Sequence, residues 1–207
     1  MYQAGLKLMS LHDYKVLILV VTAVVALIVA SPAIQSFLIF PQTEFFTELW
    51  LLGPEHLAEG FPYNITRGES YSVFLGISNH LGNFSYYSIQ VKFRNLTQSE
   101  PDNFNRSSNS LSPLYSLNVF VADKESIELP VTFSFDYSYS SSSSAVNFNS
   151  LTFNGEELNL TGFSSLWNST TSVSFGDLIF ELWIYNGLTG GFQYHERYVD
   201  LKLNMLV

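Results

Sequence analysis

The chain has no cysteine, and only 13% of its 207 residues are charged. Without cysteine there is no disulfide framework, thiolate nucleophile, zinc ribbon or iron–sulfur site. Positive charge is scarce: 9 Lys+Arg stand against 18 Asp+Glu, a formal net charge of −9, which excludes the basic surface that nucleic-acid binding requires. At 47% hydrophobic residues the chain is too apolar to be intrinsically disordered. Catalytic signatures are missing as well, with no G-x-S-x-G elbow, H-E-x-x-H pair, glycine-rich phosphate loop or EF-hand loop.

What is present begins with an apolar run. No charged residue occurs between Lys15 and Glu44, and the stretch opens VLILVVTAVVALIVA. A helix over residues 16–40 is about 37 Å long at about 1.5 Å per residue, against a hydrocarbon layer of about 30 Å, so it spans with some tilt. Pro32 either kinks that helix or marks its outer boundary, because proline removes a backbone bond that lipid cannot replace. A cleaved secretory signal is the competing reading, with Lys7 and Lys15 as a basic leader and small residues at Ser31 to Ala33. The apolar character resumes at Ile34, Phe37, Leu38, Ile39 and Phe40, unlike the polar start of a mature secreted chain, so a retained anchor is expected. Lys7 and Lys15 precede the span and Glu44, Glu48, Glu55 and Glu59 follow it, which places the N-terminus in the cytoplasm. The expected organisation is a short cytoplasmic N-terminus (1–15), a transmembrane signal anchor (16–40) and an extracellular domain (44–207).

Beyond the span the pattern becomes strict alternation, the mark of strands with one buried face. Tyr87, Ile89, Val91 and Phe93 fall on one side, and Ser88, Gln90, Lys92 and Arg94 on the other. The period recurs in Tyr71–Ile77, Ile127–Phe135, Leu178–Ile184 and Val199–Val207. Weaker candidates are Glu44–Leu52, Leu114–Val121 and Val146–Phe153, giving about eight strands in all. Turn residues separate them at Arg67-Gly68-Glu69, His80-Leu81-Gly82-Asn83, Asn154-Gly155 and Gly187–Gly191. Asn154-Gly155 suits a type I′ hairpin, in which both central residues take positive φ. The expected fold class is mainly β: a transmembrane helix followed by an immunoglobulin-like antiparallel β-sandwich. Gln98–Ser112 and Ser138–Ser144, rich in Ser and Asn, are expected to be exposed, mobile loops.

N-x-[ST] sequons begin at Asn64, Asn83, Asn95, Asn105, Asn159 and Asn168, all beyond the span. With 15 asparagines in a Ser/Thr-rich domain, about three matches are expected by chance, so these candidate glycosylation sites are a modest excess.

The stretch Thr47–Asn95 carries a resemblance. Leu52-Gly53-Pro54 closes a strand, Glu59-Gly60 precedes the aromatic-proline pair Phe61-Pro62, and Asn64–Glu69 reads N-x-T-x-G-E. Asn79-His80 then ends an alternating strand and Tyr86-Tyr87 opens the next. This pattern resembles the core of the archaeal family named domain of unknown function 1616. Leu81 departs from it where an acidic residue is expected after Asn-His, as does a single span where many relatives carry several. The resemblance implies an archaeal surface protein with a β-sandwich outside the membrane and implies no activity. The motif residues Pro62, Asn64, Gly68, Glu69, Asn79 and His80 have a structural explanation. Gly68 permits a left-handed turn, Pro62 limits pairing at a strand edge, and Asn79 bonds the backbone where the chain reverses. The alternative is a ligand site built from Asn64, Glu69, Asn79 and His80.

Metal and acid–base chemistry find little support. His56, His80 and His195 are isolated in sequence, and Glu156-Glu157 point to opposite faces of a strand. Glu100, Asp102, Asn103 and Asn105 form an oxygen-rich loop that reads as solvated rather than calcium-binding. No cofactor and no small-molecule ligand are expected. Aromatics make up 16% of the chain, and Tyr86, Trp183, Tyr185 and Tyr198 fall on the expected solvent face, where exposed rings mark protein or carbohydrate contacts. The expected function is a single-pass, membrane-anchored cell-surface glycoprotein with a structural or interaction role in the archaeal envelope, not an enzyme. Its expected partners are membrane lipid through residues 16–40 and other envelope or membrane proteins, with no nucleic acid. The alternatives are an extracytoplasmic accessory subunit of a larger membrane complex, or a filament or adhesion subunit with a cleaved signal.

Overall fold

The computed structural model describes residues 11–37, 45–102 and 104–207. Lys7, residues 38–40, Glu44 and Asn103, on which several expectations rest, lie outside the described residues. Helix α1 (Leu11–Phe37) belongs to one compact unit and the β domain from Phe45 to Val207 to a second. α1 is 27 residues long, starts earlier than the expected boundary at Val16, and continues past Pro32. Its Tyr14–Ser31 stretch is apolar and long enough to cross a membrane, as a signal sequence also is. Side chains from Tyr14 to Val29 are exposed around the whole circumference, which in water no isolated helix sustains. Thr22 donates its hydroxyl to the Ile18 carbonyl at 2.8 Å, so that hydroxyl is satisfied within the helix.

The rest is mainly β. The strands are β1 (Phe46–Leu52), β2 (Asn64–Ile65), β3 (Tyr71–His80), β4 (Ser85–Arg94), β5 (Tyr115–Val121), β6 (Ser126–Ser140), β7 (Ala145–Phe153), β8 (Glu156–Asn159), β9 (Ser164–Asn168), β10 (Val173–Asn186) and β11 (Gly191–Met205). Every alternating run is a strand, and the weaker candidates are β1, β5 and β7. Val207 lies past the end of β11, and β2, β8 and β9 are too short for alternation to reveal. One ladder runs β1-β3-β6-β7, with β8 on β7; the other runs β5-β4-β10-β11, with β2 parallel to the end of β11. β9 pairs with both β7 and β10 and joins the two ladders.

Inward residues of both ladders share one core that includes Leu75, Ile89, Phe93, Phe133, Phe135 and Phe180. Phe93 of β4 meets Phe135 of β6 at 5.1 Å and Phe148 of β7 at 4.9 Å between ring centroids. Tyr115 of β5 meets Phe153 of β7 at 5.1 Å. Such aromatic pairs add about 0.5–1.5 kcal/mol each beyond the area they bury. The order β11-β10-β4-β5 is antiparallel throughout. In the facing ladder β6 lies beside β3 and precedes β7, where an immunoglobulin domain has strand D preceding E. The tight β5–β6 turn explains this order: Lys124 donates to Asn79 O at 2.6 Å and Asn79 donates to Glu125 O at 3.0 Å, so the chain passes directly to β3 without forming an edge strand first.

Asn154 and Gly155 take φ of 48° and 84°, the two positive values of the expected hairpin turn. Two loops differ from expectation. β6 extends through Ser140, leaving only a short serine turn before β7. Gln98–Ser112 is not a free loop, because Pro101 and Asn109 are buried against the outer face of β4 and β10.

Gly76 of β3 pairs with Trp50 of β1, and a Cβ at Gly76 would fall inside the Trp50 indole. Replacing Gly76 by Val is expected to destabilise the domain by about 1–3 kcal/mol through overpacking. Chemical unfolding checks it, and an unchanged midpoint contradicts it.

Candidate interaction face

The outward face of β5-β4-β10-β11 divides into a covered charged half and an uncovered aromatic half. Along β4 the outward residues pair as Tyr86 with Phe120 and Ser88 with Asn118 on β5, and as Ser88 with Trp183, Gln90 with Glu181 and Arg94 with Asp177 on β10. Lys92 and Arg94, expected on a solvent face, are 2% and 4% exposed. Lys92 Nζ lies 2.8 Å from Glu181 Oε2 and donates to the Asn109 carbonyl at 2.8 Å. Glu181 Oε1 accepts from the Asn109 backbone N–H at 2.6 Å, and Oε2 also accepts from Trp183 Nε1 at 3.2 Å. Arg94 Nε donates to Asp177 Oδ2 at 2.8 Å, Nη1 donates to the Gln98 carbonyl at 2.8 Å, and Nη2 meets Glu100. The polar loop is therefore the cover of two buried ion pairs. A buried charge is stabilised by a counter-charge and by hydrogen bonds, and residues 98–109 supply much of the second, leaving one oxygen of Asp177 unmatched.

Asp177 Oδ1 has no partner. Burial, and next the nearby Asp200 carboxylate, push the Asp177 pKa up to about 6 in spite of Arg94. Burial and the Glu181 carboxylate push the Tyr194 phenol up to about 12.

At the other end the same face is aromatic and open. Tyr86 stacks on Phe120 at 4.1 Å, and Phe120 on Phe84 at 5.5 Å. Tyr86 also meets Phe192 at 5.2 Å, and Phe192 meets Tyr185 at 5.6 Å. Phe84, Phe120 and Tyr185 are 64%, 57% and 43% exposed. Of the residues expected here, Tyr86 and Tyr185 belong to this cluster. Trp183 is half-buried beside Tyr194 at 5.8 Å, and Tyr198, paired with Glu181, lies on the charged half. Phe84, Phe120 and Phe192 are additional; Phe120 on alternating β5 was the one legible from its period.

The motif residues separate into two groups at the two ends of β3, a ten-residue strand about 30 Å long, so they do not converge. At one end, Gly68 has a φ of 75° and donates to Phe135 O at 3.0 Å. Glu69 accepts from the Tyr71 hydroxyl at 2.9 Å, and Asn64 accepts from the Asn204 amide at 3.2 Å. Pro62 precedes β2. At the other end, buried Asn79 donates to the carbonyls of Asn83 and Val121 at 2.8 and 2.9 Å and accepts from the Tyr87 hydroxyl at 3.0 Å. The chain of contacts continues from Tyr87 to Thr47 at 3.3 Å and from Thr47 to His195 Nε2 at 2.9 Å. Burial, then Arg197, holds the His195 pKa below its ordinary value. His80 bonds Ser78 Oγ at 2.8 Å and stacks on Phe46, while His56 bonds Glu128 at 2.6 Å and stacks on Phe74.

Among the described residues no three His, Asp or Glu side chains gather at metal-ligating distance. Asp102 of the oxygen-rich loop accepts from the backbone of Phe104 and Asn105 at 2.8 and 3.0 Å, and these bonds, the Asn105 one foremost, hold its pKa low. Glu156 and Glu157 lie exposed on β8. Of the sequon asparagines, Asn64, Asn83, Asn105, Asn159 and Asn168 are exposed, whereas Asn95 is half-buried and its Nδ2 donates to Ser164 O at 2.7 Å.

The molecule is thus an apolar helix joined in sequence to a mainly antiparallel β domain with an uncovered aromatic patch on one outward face. It belongs to the family described as Domain of unknown function (DUF1616), which matches residues 41–159. No curated protein matches the chain. Among solved structures it is similar to a beta-glucosidase from Listeria innocua in complex with glucose, at TM-score 0.38 and 12% identity over 81% of this chain and 17% of that one. The same enzyme with isofagomine gives TM-score 0.37 and 13% identity over the same shares. The chain spans about a sixth of that enzyme's length, and a likeness at this TM-score carries no argument.

Removing one partner of a buried pair costs more than removing both. Lys92→Met is expected to destabilise the protein by about 3–5 kcal/mol, and Lys92→Met with Glu181→Leu to recover part of that; urea midpoints of the two variants check it. A second expectation concerns pH. Because folding raises the Asp177 pKa from 3.8 to about 6, the native state binds the extra proton between those values. The Asp177 contribution to stability is therefore full in acid and falls as pH rises through that window. His195, depressed in the fold, works in the opposite direction near its ordinary 6.5. Asp177→Asn should remove the falling component, so the stability difference between parent and variant changes between pH 4 and pH 6; a constant difference contradicts the assignment.

Proposed function

We propose that the chain is a single-pass, membrane-anchored cell-surface protein of an archaeal envelope. Residues 1–15 lie in the cytoplasm and the glycosylated β domain outside, where it acts by contact rather than catalysis. The observation that carries this is the occurrence in one chain of an apolar helix exposed around its whole circumference and a β domain with an uncovered aromatic patch on one outward face. The orientation rests on Lys15 before the apolar stretch and the acidic excess after it. Contact rather than chemistry is supported by how the acidic groups are used: Glu181, Asp177, Glu100 and Asp102 are each engaged by neighbours in holding the fold. Large exposed aromatic patches are the usual anchors of protein contacts, and the partners it fits are other envelope or membrane proteins.

Intact-mass analysis of protein extracted from native membranes tests this directly. The expected mass retains residues 1–40 and carries glycans; removing Asn64, Asn83, Asn105, Asn159 or Asn168 by substitution with Gln lowers it, whereas Asn95→Gln changes nothing beyond the substitution itself. A mass beginning after Ala33 contradicts the retained anchor, and an unglycosylated chain contradicts the surface assignment. Phe84→Ser with Tyr185→Ser should release a co-purifying partner while leaving the unfolding midpoint within about 0.5 kcal/mol of the parent.

A further inference from the structure

The edges of the ladders are guarded unequally. Among the described residues β1 pairs only with β3 and carries Glu48; β8 pairs only with β7 and carries Glu156 and Glu157; β2 is two residues long. The half of β6 before Val131 carries Glu128 and Pro130. Charges, prolines and shortness are the devices that stop a strand edge from recruiting another strand. β5 has none of them. Among the described residues it pairs with β4 alone; it is seven residues long, reads Tyr-Ser-Leu-Asn-Val-Phe-Val, and keeps an unbroken register with β4. By contrast the β6–β7 and β10–β11 pairings contain irregularities. All six sequon asparagines lie off β5. Its inward residues Leu117 and Val119 are only partly buried, although they point to the core side.

We propose that the open edge of β5 is a self-association site, at which β5 of a second copy of this chain pairs antiparallel across a two-fold axis at Asn118. Any two-fold antiparallel pairing perpendicular to the sheet keeps outward residues outward. The axis at Asn118, the midpoint of the strand, is the one that pairs all seven residues. It places Leu117 beside Val119 of the second copy, so these half-covered inward residues complete each other, and Tyr115 beside the buried Val121. Ser116 faces Phe120, and Asn118 faces itself. The occupant is a second copy because the strand is complementary to its own reverse and uncharged, in a domain whose net charge is otherwise strongly negative. Two such domains repel except where the approaching surfaces carry no charge. The pairing would join two four-stranded ladders into one continuous sheet. The contact is made through the backbone edge of β5, with Phe120 of the aromatic patch in the paired strand, and it stands whether or not the proposed surface function holds.

The test uses the full chain in detergent micelles, with mass measured by light scattering over a range of protein concentrations. The parent should dimerise. Asn118→Lys and Asn118→Glu each set two like charges against one another at the axis and should be monomeric at concentrations where the parent is dimeric, with at least a tenfold weaker Kd. Mixed in equal amounts, the two variants should regain the dimer, which separates a lost interface from a lost fold. Because the chain has no cysteine, Asn118→Cys alone provides an independent check: it should oxidise to a disulfide-linked dimer, while Asn149→Cys, on an exposed position of β7, stays reduced at the same concentration. A monomeric parent, a dimer indifferent to either charge, a mixture that fails to reassociate, or equal oxidation of the two cysteine variants overturns the proposal.

Discussion

The β domain depends on β10 being buried on both faces. Leu178, Phe180 and Leu182 point into the core, and Asp177, Ile179 and Glu181 on the other face are equally inaccessible. Carboxylates in such a position are costly unless paired with a counter-charge, and β4 presents Lys92 and Arg94 to them. The ion pairs do not use every donor, since Arg94 reaches Asp177 through Nε alone and Lys92 reaches Glu181 through one N–H. The carbonyls of Gln98 and Asn109 take the remainder. The long polar loop is thereby tied down by the charges beneath it, and where those charges end the cover ends too. The aromatic patch is open because nothing on its part of the sheet needs a polar lid.

A second constraint acts at the far end of β3. Asn79 is inside the protein, and its side-chain and backbone groups hold the β3–β4 turn, the end of β5 and the β5–β6 turn together. Fixing β5 to β6 this tightly sends the chain across to β3 and sets the order in which β6 precedes β7. The same residue ends a line of hydroxyl and imidazole contacts through Tyr87 and Thr47 to His195 on β11. The family motif at Asn79 and His80 thus reads as a device that joins turns from both ladders. Gly68 and Glu69, at the other end of the strand, close a local turn.

Most of the fold was legible because a strand with one apolar face writes itself as a period of two. Tyr87, Ile89, Val91 and Phe93 could be placed inward from the sequence alone, and Asn154-Gly155 gave away its hairpin through the φ values it requires. Lys92 and Arg94 depart from this pattern because alternation of apolar and polar residues does not distinguish a solvated polar face from a covered one. The signal that distinguishes the two cases is distant in sequence, in Asp177 and Glu181, which share the outward face of a strand that only the tertiary pairing brings beside β4. The loop over Gln98–Ser112 was unreadable on the same account, since its Ser and Asn residues are as suited to satisfying buried charges as to solvation. β2, β8 and β9 are short enough that pairing, not propensity, makes them strands.

These pairings also show that the folding unit is larger than the family-matched stretch. Residues 41–159 contain β4 but not β10, so on their own they would hold Lys92 and Arg94 without Glu181 and Asp177, and one wall of the core without Phe180 to face it. The open aromatic patch is composite in the same sense. Phe84, Tyr86 and Phe120 come from within the matched stretch, and Tyr185 and Phe192 from the hairpin beyond it. A chain that kept the first part and changed the β10–β11 hairpin would keep the core architecture of the first ladder while presenting a different surface. The surface this face presents is therefore shaped by the C-terminal strands as much as by the family-matched stretch.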